Sequence, residues 1–190
     1  ILFSGDGYSS EWRGEAQKRG LPDVSDSHHA YAALLEKSTF HVFEGVLTEK
    51  ELRSRYDIFV EHYAKTIEVE ANVMIDLFRT QILPACLKAQ KEWGKSLKVL
   101  ADLQMPLPPR LKDGLEILTG LISDAIAAID EVERKGEQTK DLGWDAKAKV
   151  FAELTRPKIQ TARHLIDQLE KIVDDALWPL PKYWELLYLK

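Results

Sequence analysis

The longest regular pattern in the chain lies between residues 48 and 103, where apolar or small side chains recur every three or four positions. This spacing places them on one face of an α-helix. The face consists of Leu52, Tyr56, Phe59, Tyr63, Ile67, Ala71, Met74, Phe78, Ile82, Ala85, Ala89 and Trp93. About 55 residues at about 1.5 Å each would form a helix of roughly 80 Å. Because so long a helix needs partners along its length, we expect the chain to be organised around it.

Local signals predict where this helix begins and where it is interrupted. Thr48, followed by Glu51, forms a capping box at its start. Pro84 removes a backbone hydrogen bond and clashes with the preceding turn, so a kink is expected there, and Gly94 is a second weak point. The three prolines of residues 104–109 cannot stay helical, so the helix should end before them.

Two more long helices are predicted after this point, and their lengths limit what they can cover. The first spans residues 109–135, and its apolar stripe is Leu111, Leu115, Leu118, Ile122, Ile126, Ile129 and Val132. The second spans about 144–177, with a kink expected at Pro157. Helices joined by short loops pack antiparallel, so we predict an all-α fold in which the long kinked helix and two partners form an elongated three-helix bundle. These partners should cover only about the half of the long helix beyond Pro84.

The residues before the long helix predict short helices separated by glycine and proline. The expected elements are a helix at 11–19 capped by Ser9 or Ser10, a helix at 28–37 capped by Ser27, and a turn of helix at 39–44. We expect residues 1–47 to be a connecting segment and residues 48–190 to be the helical bundle domain. The apolar start Ile-Leu-Phe, without an initiator methionine, suggests a piece of a longer chain.

Two groups of aromatic residues are candidate contact sites. The uncovered first half of the long helix presents Tyr56, Phe59, Tyr63 and Ile67, which we predict to form an interface because water tolerates such an apolar strip poorly. The C-terminal tail is aromatic, and we expect it to dock on the bundle rather than to form a ligand site. Its predicted anchors are Trp178, Tyr183 and Trp184.

Composition and charge narrow the possible partners. The chain has 190 residues, of which 45% are hydrophobic and 30% charged, with a net charge of −5. The charges alternate in sign along the helices, which argues against a nucleic-acid partner. No run of eighteen apolar residues is present, which argues against a membrane partner, so we expect a cytoplasmic protein. The single cysteine, Cys86, cannot form an internal disulfide and is expected to be a buried packing residue.

No pattern in the sequence predicts a catalytic or metal centre. Residues 4–7 (SGDG) predict a turn, because a phosphate-binding loop would need a following lysine and serine or threonine. His28 and His29 are expected at the surface, since adjacent helical side chains diverge by about 100°. We therefore name no catalytic, cofactor-binding or metal-binding residue.

Acidic residues on the long helix are expected to be a solvated face rather than a site. Glu68, Glu70 and Asp76 have Lys65 and Arg79 as neighbours on the same helix, which is enough to balance their charge.

Three stretches of the chain together resemble the C-terminal region of type III glutamine synthetase. They are SGDGYSSEWRGEAQKRGLP at 4–22, GVLTEKELRSRYDIFVEHYAKTIEVEANVMIDLFRTQILPA at 45–85 and DDALWPLPKYWELL at 174–187. Their order and spacing agree with the family, and the likeness covers nearly the whole chain. The long middle block and the unusual Trp-Pro-x-Pro ending make the resemblance specific.

The resemblance implies a cytosolic parent enzyme that forms glutamine from glutamate, ammonia and ATP with magnesium or manganese, assembled as stacked hexameric rings. It implies that the catalytic residues and metal ligands lie upstream of Ile1, so that this piece holds no cofactor and is inactive alone. On this interpretation the chain braces its own catalytic domain and builds contacts with neighbouring subunits, and the face around Tyr56, Phe59 and Tyr63 packs on one of them. The alternative is a stand-alone helical adaptor without catalytic activity.

Overall fold

All regular structure in the part of the chain that the structure describes is helical. This computed structural model describes residues 3–22, 24 and 26–187, with their side chains except those of Leu154, Tyr183 and Trp184. The predicted all-α class is confirmed. The α-helices are α1 (Ser10–Lys18), α2 (Ser27–Tyr31), α3 (Lys37–Val42), α4 (Glu49–Leu77), α5 (Leu83–Asp102), α6 (Pro109–Glu137), α7 (Trp144–Val150), α8 (Arg156–Ile172) and α9 (Tyr183–Leu186).

The chain forms two compact units, Ile1–Tyr63 and Ala64–Lys190, which we call the first and the second unit. The boundary between them lies inside α4. The division of the chain into a connecting segment, 1–47, and a bundle domain, 48–190, stays a prediction.

In the first unit, side-chain caps set the helix starts, and one of them differs from the prediction. Ser9 caps α1 by accepting a hydrogen bond from the Trp12 N–H at 3.2 Å, as expected. The cap of α2 is Asp26 rather than Ser27, because the Asp26 carboxylate accepts from the His29 N–H at 3.0 Å. The predicted single helix at 28–37 is wrong: Glu36 adopts extended backbone (φ −75°, ψ 146°), which separates the 3₁₀ turn Ala32–Leu35 from α3.

Helix α4 begins at the predicted capping box. The Thr48 N–H donates to Glu51 Oε2 at 2.7 Å, and the Glu51 N–H donates to Thr48 Oγ1 at 3.3 Å. These two bonds satisfy donors that the first turn of a helix leaves without partners. The bond from the Thr48 N–H also holds the pKa of Glu51 below its ordinary value.

Both interior prolines follow a π-helical turn that starts at a buried phenylalanine. The turns are Phe78–Ile82 before Pro84 and Phe151–Thr155 before Pro157. In each turn the residue directly before the proline donates its N–H to the phenylalanine carbonyl five positions back. A proline cannot donate to the residue four positions back and its ring crowds that carbonyl, so widening the preceding turn relieves the clash. The irregularity therefore lies in the turn before each predicted kink, whereas Gly94 leaves α5 uninterrupted.

In the second unit, α6 runs antiparallel to α5. From the start of α6 to its end, the contacting pairs are Gly114 with Trp93, Thr119 with Gln90, and Glu133 with Arg79. The residue numbers rise along α6 while those of its contact residues on the long helix fall, so the two helices run antiparallel. The finer geometry of a three-helix bundle stays a prediction.

The partner helices cover more of the long helix than its sequence predicts. Arg79, which α6 contacts, precedes Pro84, and Lys147 Nζ on α7 reaches Glu68 Oε1 at 2.8 Å. The expectation that only the half beyond Pro84 would be covered is wrong. The coverage is wider because of helix length: the 29 residues of α6 span about 43 Å, and α7 adds contacts beyond the end of α6.

The core of the second unit joins residues from the long helix, α6, α8 and the tail. Its buried members are Ala71, Phe78, Ile82, Cys86, Ala89, Leu118, Ile122, Ala125, Ile129, Val132, Ala162, Leu169, Val173 and Trp178. The stripe predicted for α6 is wrong at one position: Ile126 is 37% exposed and Ala125 is buried instead. Helix α8 ends at Ile172 rather than at Leu177, because Val173 is extended (ψ 135°) and the carbonyl of Asp174 accepts the N–H groups of Leu177 and Trp178.

Candidate functional site

The predicted interface on α4 is partly covered by residues of its own chain. Within the first unit the Tyr63 ring stacks on His28 with 6.4 Å between ring centroids, and the Phe59 ring stacks on Tyr31 at 5.4 Å. Tyr63 is only 9% exposed, while Phe59 remains 42% exposed and Tyr56 is half-buried. Ile67, in the second unit, is buried. The interface stays a prediction, and its accessible part is centred on Phe59.

His28 is buried, which corrects the expectation of a surface histidine. The Tyr63 ring lies against it, and its Nδ1 has no hydrogen-bond partner among the residues described. His29 is exposed as predicted, and its Nδ1 lies 2.6 Å from an Asp26 carboxylate oxygen. Nothing in the sequence distinguishes the two histidines, because both lie in a short polar stretch and the covering Tyr63 ring is 35 positions away.

The tail enters the core of the second unit at Trp178. This side chain is 8% exposed and belongs to the buried cluster. Lys182 Nζ donates to the Val173 carbonyl at 3.1 Å and forms an ion pair with Asp175, which holds the segment after α8 against the helix end. The other two predicted anchors, the side chains of Tyr183 and Trp184, lie outside the described side chains. The anchoring role itself stays a prediction.

A groove of about 580 Å³ lies beside this tryptophan, and we call it the Trp178 groove. Its apolar lining is Val73, Met74, Leu77, Ile82, Ile159, Ile166, Trp178, Leu180 and Pro181. Its polar lining is Glu70, Arg163, Asp167 and Glu170, three carboxylates against one cation. The Trp178 Nε1–H is buried and has no acceptor within the described part of the chain.

On another side of the second unit, a cluster of ion pairs ties α4 to α6 and α7. Lys147, only 8% exposed, pairs with Glu68 at 2.8 Å, and its ammonium lies 5.2 Å from the centroid of the Trp144 ring. Arg79 binds both carboxylate oxygens of Glu133 at 2.7 Å and Asp130 at 2.9 Å. These bonds raise the pKa of Arg79 and lower that of Glu133.

This cluster corrects the expectation of a plain solvated acidic face on α4. Glu68 and Arg79 bind partners on other helices, whereas Glu70 lines the Trp178 groove. The sequence holds one signal for the missed ion pair. Lys147 lies three and four positions before Val150 and Phe151, so it sits on the apolar face of its helix. A lysine at such a position is buried only when it has a partner.

The described residues do not fit a metal ion, and we derive no chemical step through one. No group of three or more histidine, cysteine or carboxylate side chains among residues 3–22, 24 and 26–187 is placed to hold one. Cys86 is fully buried as predicted, and burial raises the pKa of its thiol to about 11. Such a thiol is protonated at neutral pH and makes a poor nucleophile. In the described part of the chain, no helix is both long enough and apolar enough to cross a membrane.

The fold and these surfaces define a class of protein: an all-α module whose described features are packing surfaces and grooves. A family model described as "Glutamine synthetase C-terminal domain" matches residues 1–101, more than half of the chain. The chain therefore belongs to the glutamine synthetase C-terminal domain family.

Individual relatives align with the chain from end to end. A type-3 glutamine synthetase of Dictyostelium discoideum is 31% identical over 198 positions, which cover 100% of this chain and 27% of the relative. A glutamine synthetase of Bacteroides fragilis (strain YCH46) is 30% identical, with the same two coverages. One of Butyrivibrio fibrisolvens is 26% identical over 99% of this chain and 27% of its own length. The chain thus spans about a quarter of the length of the relatives it matches.

Proposed function

We propose that this chain is the C-terminal helical part of a glutamine synthetase that joins ammonia to glutamate at the expense of ATP. One observation carries the proposal: the whole chain aligns with type-3 and other glutamine synthetases over 27% of their length. A relative named type-3 glutamine synthetase, together with the resemblance of the blocks at 4–22, 45–85 and 174–187, supports the type III form in particular.

Within this proposal, the chain braces its own catalytic domain and builds contacts with neighbouring subunits. The parent enzyme uses ATP with magnesium or manganese, works in the cytoplasm and assembles as stacked hexameric rings. No cofactor is assigned to any residue of the chain. The family resemblance supports each of these statements.

The face of α4 around Phe59 is the proposed contact with the catalytic domain or a neighbouring subunit. Phe59 is 42% exposed, which leaves apolar area for a partner. Tyr63 would support this face from beneath rather than touch the partner, because it is already buried. Ile67 is buried as well, so it would not touch the partner either.

Two experiments test the proposal. Isothermal calorimetry with ATP and magnesium, and a glutamine-forming assay, should both give no signal for the isolated chain. Micromolar nucleotide binding by this chain would contradict the interpretation of residues 4–7 as a plain turn.

The second experiment reads the coding sequence upstream of Ile1. A reading frame that continues into a catalytic domain agrees with the proposal. A start codon directly before Ile1 would instead favour the stand-alone helical adaptor.

A further inference from the structure

The stretch between α8 and α9 is bonded mainly to itself, and we call residues 174–182 the tail strap. The N–H groups of residues 176–178 donate to the carbonyl or the carboxylate of Asp174 over 2.7–2.9 Å. Two of the next three residues are prolines, which have no N–H. These amide positions therefore give the strap no backbone hydrogen bond to the helices.

Two side chains fasten the strap to the rest of the second unit. Trp178 places its indole in the core, where it is 8% exposed. Lys182, at the other end of the strap, is 13% exposed, and its Nζ donates to the Val173 carbonyl at 3.1 Å and pairs with Asp175. Val173 is the C-cap of α8 and is buried, so Lys182 ties the far end of the strap to a fixed point at its start. This bond also satisfies one of the carbonyls that a helix end leaves without a partner.

Docking of the indole carries a free-energy cost that opening of the strap removes. The Trp178 Nε1–H is buried and has no acceptor in the described part of the chain. Such a donor loses its hydrogen bond to water when the strap closes and recovers it when the strap opens. The ring also borders the groove of about 580 Å³, so part of it faces a cavity rather than packed side chains.

Helix α8 is complete without the strap. The backbone hydrogen bond that ends it joins the Val173 N–H to the Leu169 carbonyl at 2.9 Å, before the strap begins. Val173 is already extended, at ψ 135°, so the chain leaves the helix there. Opening of the strap therefore breaks no hydrogen bond of α8. Segments that open in this way, with the surrounding helices intact, are the least stable cooperative units of a fold.

We propose that the tail strap opens and closes as one unit while the helices of the second unit stay folded, with Lys182 as its clasp. Opening withdraws the indole from the wall of the Trp178 groove and adds the space of the ring to the groove. Ile82, Ile159 and Ile166, which line the groove beside the indole, then gain contact with solvent. The strap is thus a conformational device that controls access to this apolar wall, and it goes beyond the proposed function.

Hydrogen exchange followed by NMR on the 190-residue chain tests the strap. The Trp178 Nε1–H reports undocking of the ring directly, because it is buried while the strap is closed. The main-chain N–H of Leu177, bonded inside the strap, reports the same opening. The N–H groups of Ile122 and Ile129, on α6 and at most 5% exposed, report unfolding of the core. Small additions of urea distinguish the two processes, because urea favours an opening in proportion to the surface that it exposes.

In the wild type, we expect both strap protons to exchange at least about a hundredfold faster than the two core amides once intrinsic rates are taken into account. Their exchange should change little with urea, since opening of the strap exposes a small area. Exchange of the core amides should rise steeply with urea, since it needs unfolding of the whole unit.

Lys182→Met keeps the aliphatic stem of the lysine and removes its ammonium. We expect this variant to accelerate exchange of both strap protons about tenfold, because a hydrogen bond from a charged donor is lost. Asp175→Asn should have a smaller effect, because Asp175 is 68% exposed and the bond to the Val173 carbonyl remains. Lys171→Met is the matched control: Lys171 is exposed on the last turn of α8, and the strap protons of this variant should exchange within about twofold of the wild-type rate.

Two results would overturn the proposal. In the first, the strap protons of the wild type exchange at the rate of Ile122 and Ile129 and with the same urea dependence, so the strap opens only with the whole unit. In the second, the strap protons of Lys182→Met exchange at wild-type rates, so Lys182 is not the clasp. The first comparison needs no variant and stays decisive if circular dichroism melts show that Lys182→Met does not fold. Glutamine formation is measured in a separate assay, so failure of the strap and failure of the proposed function are distinguishable.

Discussion

Lys147 stands on the buried side of α7, where an unpaired ammonium would be costly. The buried Lys147 ammonium is stabilised by the Glu68 carboxylate, which lies 2.8 Å away, and by the faces of nearby aromatic rings. Burying a charge is tolerated when a partner of opposite charge and hydrogen bonds replace water. The pair therefore fixes α7 to α4 more than it adds net stability.

Removing the carboxylate should cost more than removing both charges. Glu68→Gln leaves the Lys147 ammonium buried, and we expect a loss of about 1–2 kcal/mol, less than for a fully buried pair because Glu68 is about one-third exposed. A Glu68→Gln, Lys147→Met double variant should recover part of that loss. Urea denaturation measures the free energy of unfolding of both variants. Glu70→Gln is the control, and its free energy of unfolding should differ from that of the wild type by under about 0.5 kcal/mol. Equal losses for Glu68→Gln and the control would contradict the account.

Arg79 should make the stability of the second unit depend on pH. Its hydrogen bonds to Glu133 lower the pKa of that carboxyl below the ordinary value of 4.5. A carboxyl with a lowered pKa stabilises the fold above its ordinary pKa, and that contribution is lost as the pH falls through the lowered value. The melting temperature of Arg79→Gln should thus lie below that of the wild type at pH 7, and this difference should narrow as the pH falls through the lowered pKa of Glu133.

Lys112→Gln is the control for this comparison. Its ion pair with Glu116, at 3.8 Å, lies within α6 and is well exposed. Surface pairs of this kind contribute little, so its melting curves should stay close to those of the wild type throughout. If the difference in melting temperature between Arg79→Gln and the wild type is the same at pH 3 and at pH 7, the lost interaction between Arg79 and the ionised carboxylates is not its cause.

Helix α6 contains two interior glycines, and replacing each by alanine should affect stability in different directions. An added Cβ at Gly114 would lie 2.7 Å from the Trp93 ring, whereas nothing lies within 4 Å of an added Cβ at Gly120. Gly120→Ala should stabilise the chain by up to about 1 kcal/mol through helix propensity. At Gly114 the clash should cancel or exceed this gain. Urea midpoints measure both, and equal stabilisation would mean that α5 and α6 are not in close contact here.

Burial of Trp178 should make the tail essential to the stability of the second unit. The indole lies in the core cluster, and truncating a large buried aromatic side chain typically costs about 3–5 kcal/mol. We expect Trp178→Ala to lose this amount in denaturant melts. Leu187→Ala, at an 81% exposed tail position, is the control and should change little. A loss below about 0.5 kcal/mol for Trp178→Ala would mean that the tail does not anchor the fold.

At the scale of elements, local signals in the sequence predict helix starts better than helix interiors. The Thr48 capping box and the Ser9 cap depend on residues within one turn, and both are present. Pro84 and Pro157 identify where the backbone must change, but a kink and a π turn relieve the same clash. Both π turns start at a buried phenylalanine, Phe78 or Phe151, and burial depends on residues far away in sequence.

The candidate sites likewise could be predicted from the sequence only where they depend on residues close together in the chain. Apolar periodicity is a local property, and the residues of the stripe predicted from it are buried or half-buried except Phe59, which is 42% exposed. Trp178, predicted from the aromatic tail, is buried, while its anchoring role stays a prediction. Prediction from the sequence missed the burial of His28, the Glu68 to Lys147 pair and the Trp178 groove, because each joins side chains from different helices. The sequence-based expectation also underestimated how far along the long helix α6 reaches, because the 29 residues of α6 span about 43 Å and extend past Pro84.

At the scale of the whole molecule, belonging to the glutamine synthetase C-terminal domain family agrees with what the structure offers. A module that spans 27% of its relatives and presents packing surfaces is suited to organising a larger enzyme. Under the proposed function, the chain's role is structural and the chemistry belongs to the parent enzyme.

The most direct test captures the native protein from its source cells with an antibody against this chain and measures glutamine formation by the captured material. The account predicts a polypeptide much longer than 190 residues that forms glutamine from glutamate, ammonia and ATP. A captured polypeptide of about 190 residues that forms no glutamine would contradict it.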